Sequence, residues 1–148
     1  MLVKTSAVPA LTLDAYVAKD CVGGLLTFPV SSASAGNTGA VIKRITITDA
    51  AAQTEKFWLH LFTASPAAAA KTDADECVQV AADLVKKIVT LYVAATDYDS
   101  FAGDSIATVE YDTSIVFDGK NLYGVLEAEE TPDYAAADDL TVHLILEV

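Results

Sequence analysis

Basic residues are scarce in this chain. Its 148 residues include nine lysines and arginines, of which only Arg44 is arginine, against 21 acidic residues, for a formal net charge of −12. Nucleic-acid binding needs basic surface to displace counterions, so this balance excludes it as an expected function. Anionic membranes are disfavoured on the same ground. Like-charged molecules repel at long range, which favours solubility at high local concentration. Long apolar runs are missing too, and none approaches the ~20 residues that cross a bilayer. The opening MLVKTSAVPALTL holds one lysine and no apolar stretch of secretory length. No leader is therefore expected, and synthesis and folding in a cytoplasm are.

Cysteine is limited to Cys21 and Cys77, without CxxC spacing. In a reducing compartment the expectation is two buried thiols. A zinc site would need about four ligands. Only Cys21, Cys77, His60 and His143 could supply nitrogen or sulfur, and they are scattered along the chain. No GxSxG elbow surrounds a serine. No glycine-rich phosphate loop is present, because Val22-Gly23-Gly24 leads into a strand instead of a helix. Its expected role is a bend or bulge where the chain enters the sheet.

Apolar residues are plentiful, at 53 %, and spread evenly. That suits one compact domain with a full core. Strand patterns dominate. GLLTFPV (24–30) is a short apolar run, followed by a Ser-, Gly- and Asn-rich loop. AVIKRITIT (40–48) alternates in the manner of a half-buried strand. KFWLHLFTA (56–64), IVTLYVAA (88–95), SIATVEYD (105–112), TSIVFDG (113–119), NLYGVLEAE (121–129) and LTVHLILEV (140–148) continue the series. Asp118-Gly119 predicts a hairpin turn. TDADECVQVAADLVKKI (72–88) is the one helical candidate, capped by Thr72 or Asp73, and it predicts one or two short turns. The fold class is all-β: an antiparallel β-sandwich or jelly roll of about eight strands with one short helical insertion. A closed lipocalin-like barrel is the structural rival. Residues 1–20 are expected as an N-terminal arm or edge segment, and 21–148 as a single jelly-roll-like domain.

FWLHLF (57–62) breaks the alternation rule. Phe57, Leu59 and Leu61 fall on one face, and Trp58, His60 and Phe62 on the other. Both faces are apolar or aromatic, so both need cover, from a second sheet, the helical segment or another subunit. His60 and His143 are candidates for general acid/base work, yet neither has a nucleophile or an orienting carboxylate nearby in sequence. The expected role for His60 is a packed histidine with its nitrogens hydrogen-bonded. A cupin-type metal site would need an HxH pair, which is missing. Asp97, Asp99 and Asp104 share one loop with Gly103 and are weak calcium candidates, although their spacing departs from the EF-hand pattern. The acidic stretch from Glu127 to Asp139 could hold a glycosidase-like carboxylate pair. Its plainer reading is a charged loop that guards the sheet ends. No catalytic residue, metal or cofactor is expected, and the chain reads as a non-enzyme.

The order of segments resembles a group of small proteins encoded among the structural genes of tailed bacteriophages and prophages. The segments are DCVGGLLTF, then IKRITITDAAAQTEKFWLHLFTASP, ADLVKKIVTLYVAATDY, GDSIATV and NLYGVLEAEETPDYAAADDLTVHLILEV. The group's motifs fall here at Gly23–Phe28, Ile45–Asp49, Leu61–Pro66 and Leu122–Val142, and the likeness covers most of the chain after about residue 16. They are strand and turn patterns rather than catalytic signatures. Phe57, Trp58 and Phe62 are aromatic where the group tends to be aliphatic. The resemblance implies a virion protein, a capsid decoration (cement) protein with a jelly-roll-like fold. Such a protein is a homotrimer on the capsid exterior, made in the host cytoplasm, that braces neighbouring major capsid protein subunits. Interface candidates are Trp58, His60 and Phe62, with Leu2, Val8, Leu11, Leu13 and Tyr16 from an arm lying across a neighbour. The alternative is a phage tail or fibre domain or a carbohydrate-binding sandwich, which would order Tyr92, Tyr98, Phe101, Tyr111 and Tyr134 into a row. An enzyme of barrel or cupin type would need His60 and His143 to converge.

Overall fold

The computed structural model describes residues 1–33, 36–67, 72–78 and 80–148. The parts of the predicted loops and helix that fall on 34–35, 68–71 and 79 lie outside them. Two antiparallel sheets pack face to face as a sandwich. The five-stranded sheet runs in the order β1 (Leu2–Ala7), β9 (Leu140–Glu147), β3 (Asn37–Asp49), β7 (Asp104–Asp118), β6 (Tyr98–Phe101). The four-stranded sheet runs β2 (Cys21–Pro29), β8 (Asn121–Ala128), β4 (Phe57–Phe62), β5 (Lys87–Val93). Setting β6 aside, the pairs nest: β1 with β9, β2 with β8, β3 with β7, and β4 with β5. That nesting, wound across two sheets, is jelly-roll winding. The sheets do not close into a barrel, and β1, β6, β2 and β5 are edges.

Alternation decides which side chains meet. Ile42, Ile45, Ile47, Val142, Leu144 and Leu146 from one sheet face Leu26, Phe28, Phe57, Leu59, Leu61, Leu122 and Leu126 from the other, all buried. At about 25 cal/mol per Å² of apolar surface removed from water, this single core is the main stabilising term.

Local departures have local causes. SIATVEYD and TSIVFDG are one 15-residue strand, β7, not two. The register shift opposite Ile42 and Arg44 absorbs an extra residue without breaking the ladder. The turn predicted at Asp118-Gly119 forms, with Gly119 at φ +74°, but it closes no hairpin: β7 and β8 belong to different sheets, and the turn carries the chain across the sandwich. The acidic loop TDYDSFAGD contains a short extra strand, β6, which folds back on the start of β7. Its side chains are mostly exposed, so no alternation marks it. The helical candidate forms one turn, α1 (Ala81–Leu84), in line with the one or two short turns expected.

The N-terminal segment is no free arm. Residues 2–7 are an edge strand, and 8–20 lie on the chain's own body through bonds such as Leu11 N–H to Ala137 O and Tyr16 N–H to Pro132 O. Leu11 and Tyr16, expected at a subunit interface, belong to the core, whereas Leu2, Val8 and Leu13 stay exposed. The Val22-Gly24 stretch is a bulge in β2. A Cβ on Gly23, which sits at φ +78°, would collide with Pro9. Only glycine lets the 8–20 segment approach β2 so closely. Asp73, expected as a helix cap, instead accepts the Tyr16 hydroxyl at 2.7 Å and the Gly23 N–H.

Candidate functional site

The outer face of the four-stranded sheet is the least ordinary surface of the molecule. Register places Trp58 between Glu127 and Tyr92, His60 between Val125 and Thr90, and Phe62 between Tyr123 and Lys87. Cys21 lies opposite Glu127, and Leu25 opposite Val125, on the same side. Phe62, Val125 and Cys21 are fully buried in a second small cluster with Leu25, Tyr123 and Cys77. What covers them is the chain itself. Cys77, expected as a buried free thiol, is joined to Cys21 in a disulfide across 56 residues of sequence. Backbone bonds from Cys21 N–H to Asp75 O, Ala74 N–H to Cys21 O and Cys77 N–H to Lys19 O seat the segment. The segment then reaches Lys86, whose carbonyl takes the Thr63 N–H beyond the far end of β4.

The other half of the face is open. Trp58 is 36 % exposed and packs on Tyr92, with ring centroids 4.4 Å apart and planes at 37°. The Tyr92 hydroxyl donates to Glu129 at 2.6 Å. His60 is nearly buried, with Nδ1 3.1 Å from Thr90 Oγ1 and Nε2 3.3 Å from Glu127 Oε2. Both nitrogens thus have partners, the arrangement expected of a packed histidine. Beyond the covered half, Val78, Leu84 and Val85 are exposed on the connecting segment, Val85 at 84 %.

His143 lies on the outer face of the other sheet, among Thr46, Thr48 and Thr141. Its Nδ1 is 2.6 Å from Ser6 Oγ. Burial, helped by Lys4, holds its pKa below the usual imidazole range. The two histidines therefore lie on opposite outer faces with both sheets between them. A barrel- or cupin-type centre built on both has no common location.

One end of the sandwich collects negative charge. The connections and strand ends there hold Asp14, Asp20, Asp49, Glu55, Asp97, Asp99, Asp104, Glu129, Glu130, Asp133, Asp138 and Asp139, against Lys19 and Lys56. Among the described residues, acidic side chains outnumber lysines at this end, though they come from segments far apart in sequence. A cleft of about 200 Å³ opens among Thr48, Ala50, Asp104, Asp138 and Thr141. Asp49, at its base, is fully buried, and burial raises its pKa. The backbone N–H groups of Ala51, Gln53 and Thr54 bond its carboxylate at 2.8–3.2 Å and oppose that rise. Burial and a hydrogen bond to Glu130 raise Glu55 as well. Asp97, a calcium candidate, instead accepts the Ala94 N–H at 2.8 Å, while Asp99 and Asp104 point from separate strands. Among the described residues, no three acidic, histidine or cysteine side chains lie close enough to hold a metal ion.

Of the aromatics considered for a row, only Tyr92 joins Trp58. Tyr134 is buried, Tyr98 is mostly so, Tyr111 bonds the Tyr92 backbone, and Phe101 is exposed at a hairpin tip. The disulfide and the charged end were missed in sequence, because neither leaves a local pattern. The fold defines the class of the protein as a two-sheet antiparallel β-sandwich. No known protein-family model matches the chain, and no curated protein sequence matches it.

Proposed function

We propose that this protein is a non-enzymatic structural component of a tailed-phage virion, a capsid decoration (cement) protein. In this reading it associates with itself as a homotrimer on the capsid exterior and braces neighbouring major capsid subunits. The observation that carries the reading is the sequence of strand and turn motifs from Gly23 to Val142, which resembles phage structural proteins. Two structural features support it. Trp58 on the outer face of the four-stranded sheet, and Val78, Leu84 and Val85 on the segment that connects β4 to β5, are exposed, and apolar surface of this kind favours protein–protein contact. The Cys21–Cys77 bond suits an exterior location, since disulfides persist on virion surfaces and not in reducing cytoplasm.

A second reading, a phage tail or fibre domain or a carbohydrate-binding sandwich, draws on the exposed Trp58–Tyr92 pair. The two rings pack on each other with planes at 37°, and neither Tyr111 nor Tyr134 extends them into a row. Co-sedimentation tests the leading reading directly: purified protein should saturate phage shells that lack it. Failure to bind such shells would remove the cement role, and retention on an insoluble glycan would favour the second reading.

A further inference from the structure

At the acidic end of the sandwich the β4–β8 ladder runs on into charge. Phe57 pairs with Ala128, and one step further out the Glu129 N–H reaches Lys56 O at 3.2 Å. The same antiparallel register sets Glu55 across from Glu130, and their two carboxyl groups are hydrogen-bonded to each other. Ionised carboxylates only accept, and like charges directly opposed across strands repel. One member of the pair therefore carries a proton. Lys56 decides which. Its Nζ lies 2.7 Å from Glu130 Oε1 and holds Glu130 ionised. Glu55 has the opposite setting: its Oε2 is buried with no donor to satisfy it among the described residues, where a charge is costly. The other groups around it bring no cation. Asp49 faces it from the end of β3, and Glu129 lies beside Glu130. The hydroxyls of Tyr98 from β6 and of Tyr134 from the β8–β9 connection are within electrostatic reach.

We propose that Glu55 and Glu130 share a single proton and form a pH-sensitive latch between the β3–β4 and β8–β9 connections. Loss of that proton sets two carboxylates against each other and frees the start of the β8–β9 connection. The N-terminal segment rests on this connection, through Tyr16 N–H to Pro132 O at 2.9 Å and Leu11 N–H to Ala137 O at 3.1 Å. An open latch loosens the seat of residues 8–20 while the core between the sheets stays packed.

Amide hydrogen exchange at Leu11 and Tyr16, with carboxyl NMR titration of Glu55, tests this on the full chain. Glu55 binds its proton more tightly in the folded chain than in the unfolded one. The latch is therefore complete below the ordinary value of 4.5 and is lost as pH rises through the folded value. In E55Q the amide donates to Glu130 at any pH. Between those two values, exchange at Leu11 and Tyr16, corrected for its intrinsic pH dependence, should rise in wild type relative to E55Q by about tenfold per pH unit. Equal profiles for the two proteins would overturn the latch. E130Q offers an amide to an ionised Glu55, so it should move the Glu55 titration down, and an unmoved titration would refute the shared proton. The wild type decides the matter even where a variant fails to fold: a Glu55 carboxyl that titrates at or below 4.5 removes the proposal.

Discussion

The two outer faces of the sandwich carry the same number of histidines and little else in common. Around His143 the five-stranded sheet shows Ser6, Thr46, Thr48 and Thr108, with ion pairs Lys43–Asp112 and Arg44–Glu110 at 2.6 Å. This is the ordinary solvated face of an antiparallel sheet, polar out and apolar in. Around His60 the four-stranded sheet shows Trp58, Tyr92, Tyr123 and Phe62, half covered by a segment stapled through Cys77. The difference teaches that a strand apolar on both faces is a demand for a third layer. This chain meets the demand for one half of the face with its own β4–β5 connection and leaves the other half open.

Substitutions separate the two faces in order of effect. Phe62→Ala should destabilise most, by about 3–5 kcal/mol in chemical denaturation, since it empties a fully buried site. A loss under 1 kcal/mol would mean that the segment above it collapses freely. Replacing both cysteines by serine should cost about 2–4 kcal/mol, because the disulfide closes a long loop in the unfolded chain. The same loss should follow from reductant acting on the wild type, and an unchanged melting temperature on reduction would show that the staple contributes nothing. His60→Ala should cost about 1–3 kcal/mol, as Thr90 and Glu127 each lose a partner in a half-buried setting.

On the polar face the effects are smaller. His143 has a folded pKa held below its unfolded value of 6.5 by burial. The unfolded chain therefore takes the proton more readily. Its contribution is complete above pH 6.5 and is lost as pH falls toward the folded pKa. The stability of the wild type relative to His143→Gln should thus decline between pH 7 and pH 5, and a constant difference over that range would contradict the assignment. Arg44→Gln, on the same face, should change stability by no more than about 0.5 kcal/mol, as exposed pairs usually do.

Much of the fold was legible. The alternation in 140–148 marked β9 correctly, because a half-buried strand writes its two environments into every second residue; β3 was recognised as a strand, but the bulge after Ile42 resets its faces, so that Ile42 and Ile45 both point inward. The Asp118-Gly119 turn was plain too, since few residues accept its backbone geometry, but its reading as a hairpin failed, because a local turn signal does not say whether the next strand pairs with the last or crosses to the other sheet. The extra strand β6 was not, because its side chains are mostly exposed and it pairs only along its backbone. The apolar opening segment invited the reading of an arm over a neighbour. What binds Leu11 and Tyr16 to this chain is a set of contacts to Ala137, Pro132 and Asp73, more than 50 residues away.

The candidate site was legible only in outline. FWLHLF announced two buried faces, and its inner face was assigned correctly. The cover on Phe62 required Cys77 to arrive over β2, and the stacking partner of Trp58 required β5 to align Tyr92 with it. Composition determined by itself that the chain is acidic, rich in strands and supplied with enough apolar residues for one core, because these follow from residue counts and local periodicity. Tertiary structure alone decided that acidic strand ends and connections gather at one end, that the two histidines stand on opposite faces and that the two cysteines meet. Each of these depends on the nesting of strands distant in sequence, and no local pattern encodes which distant strand will be a neighbour.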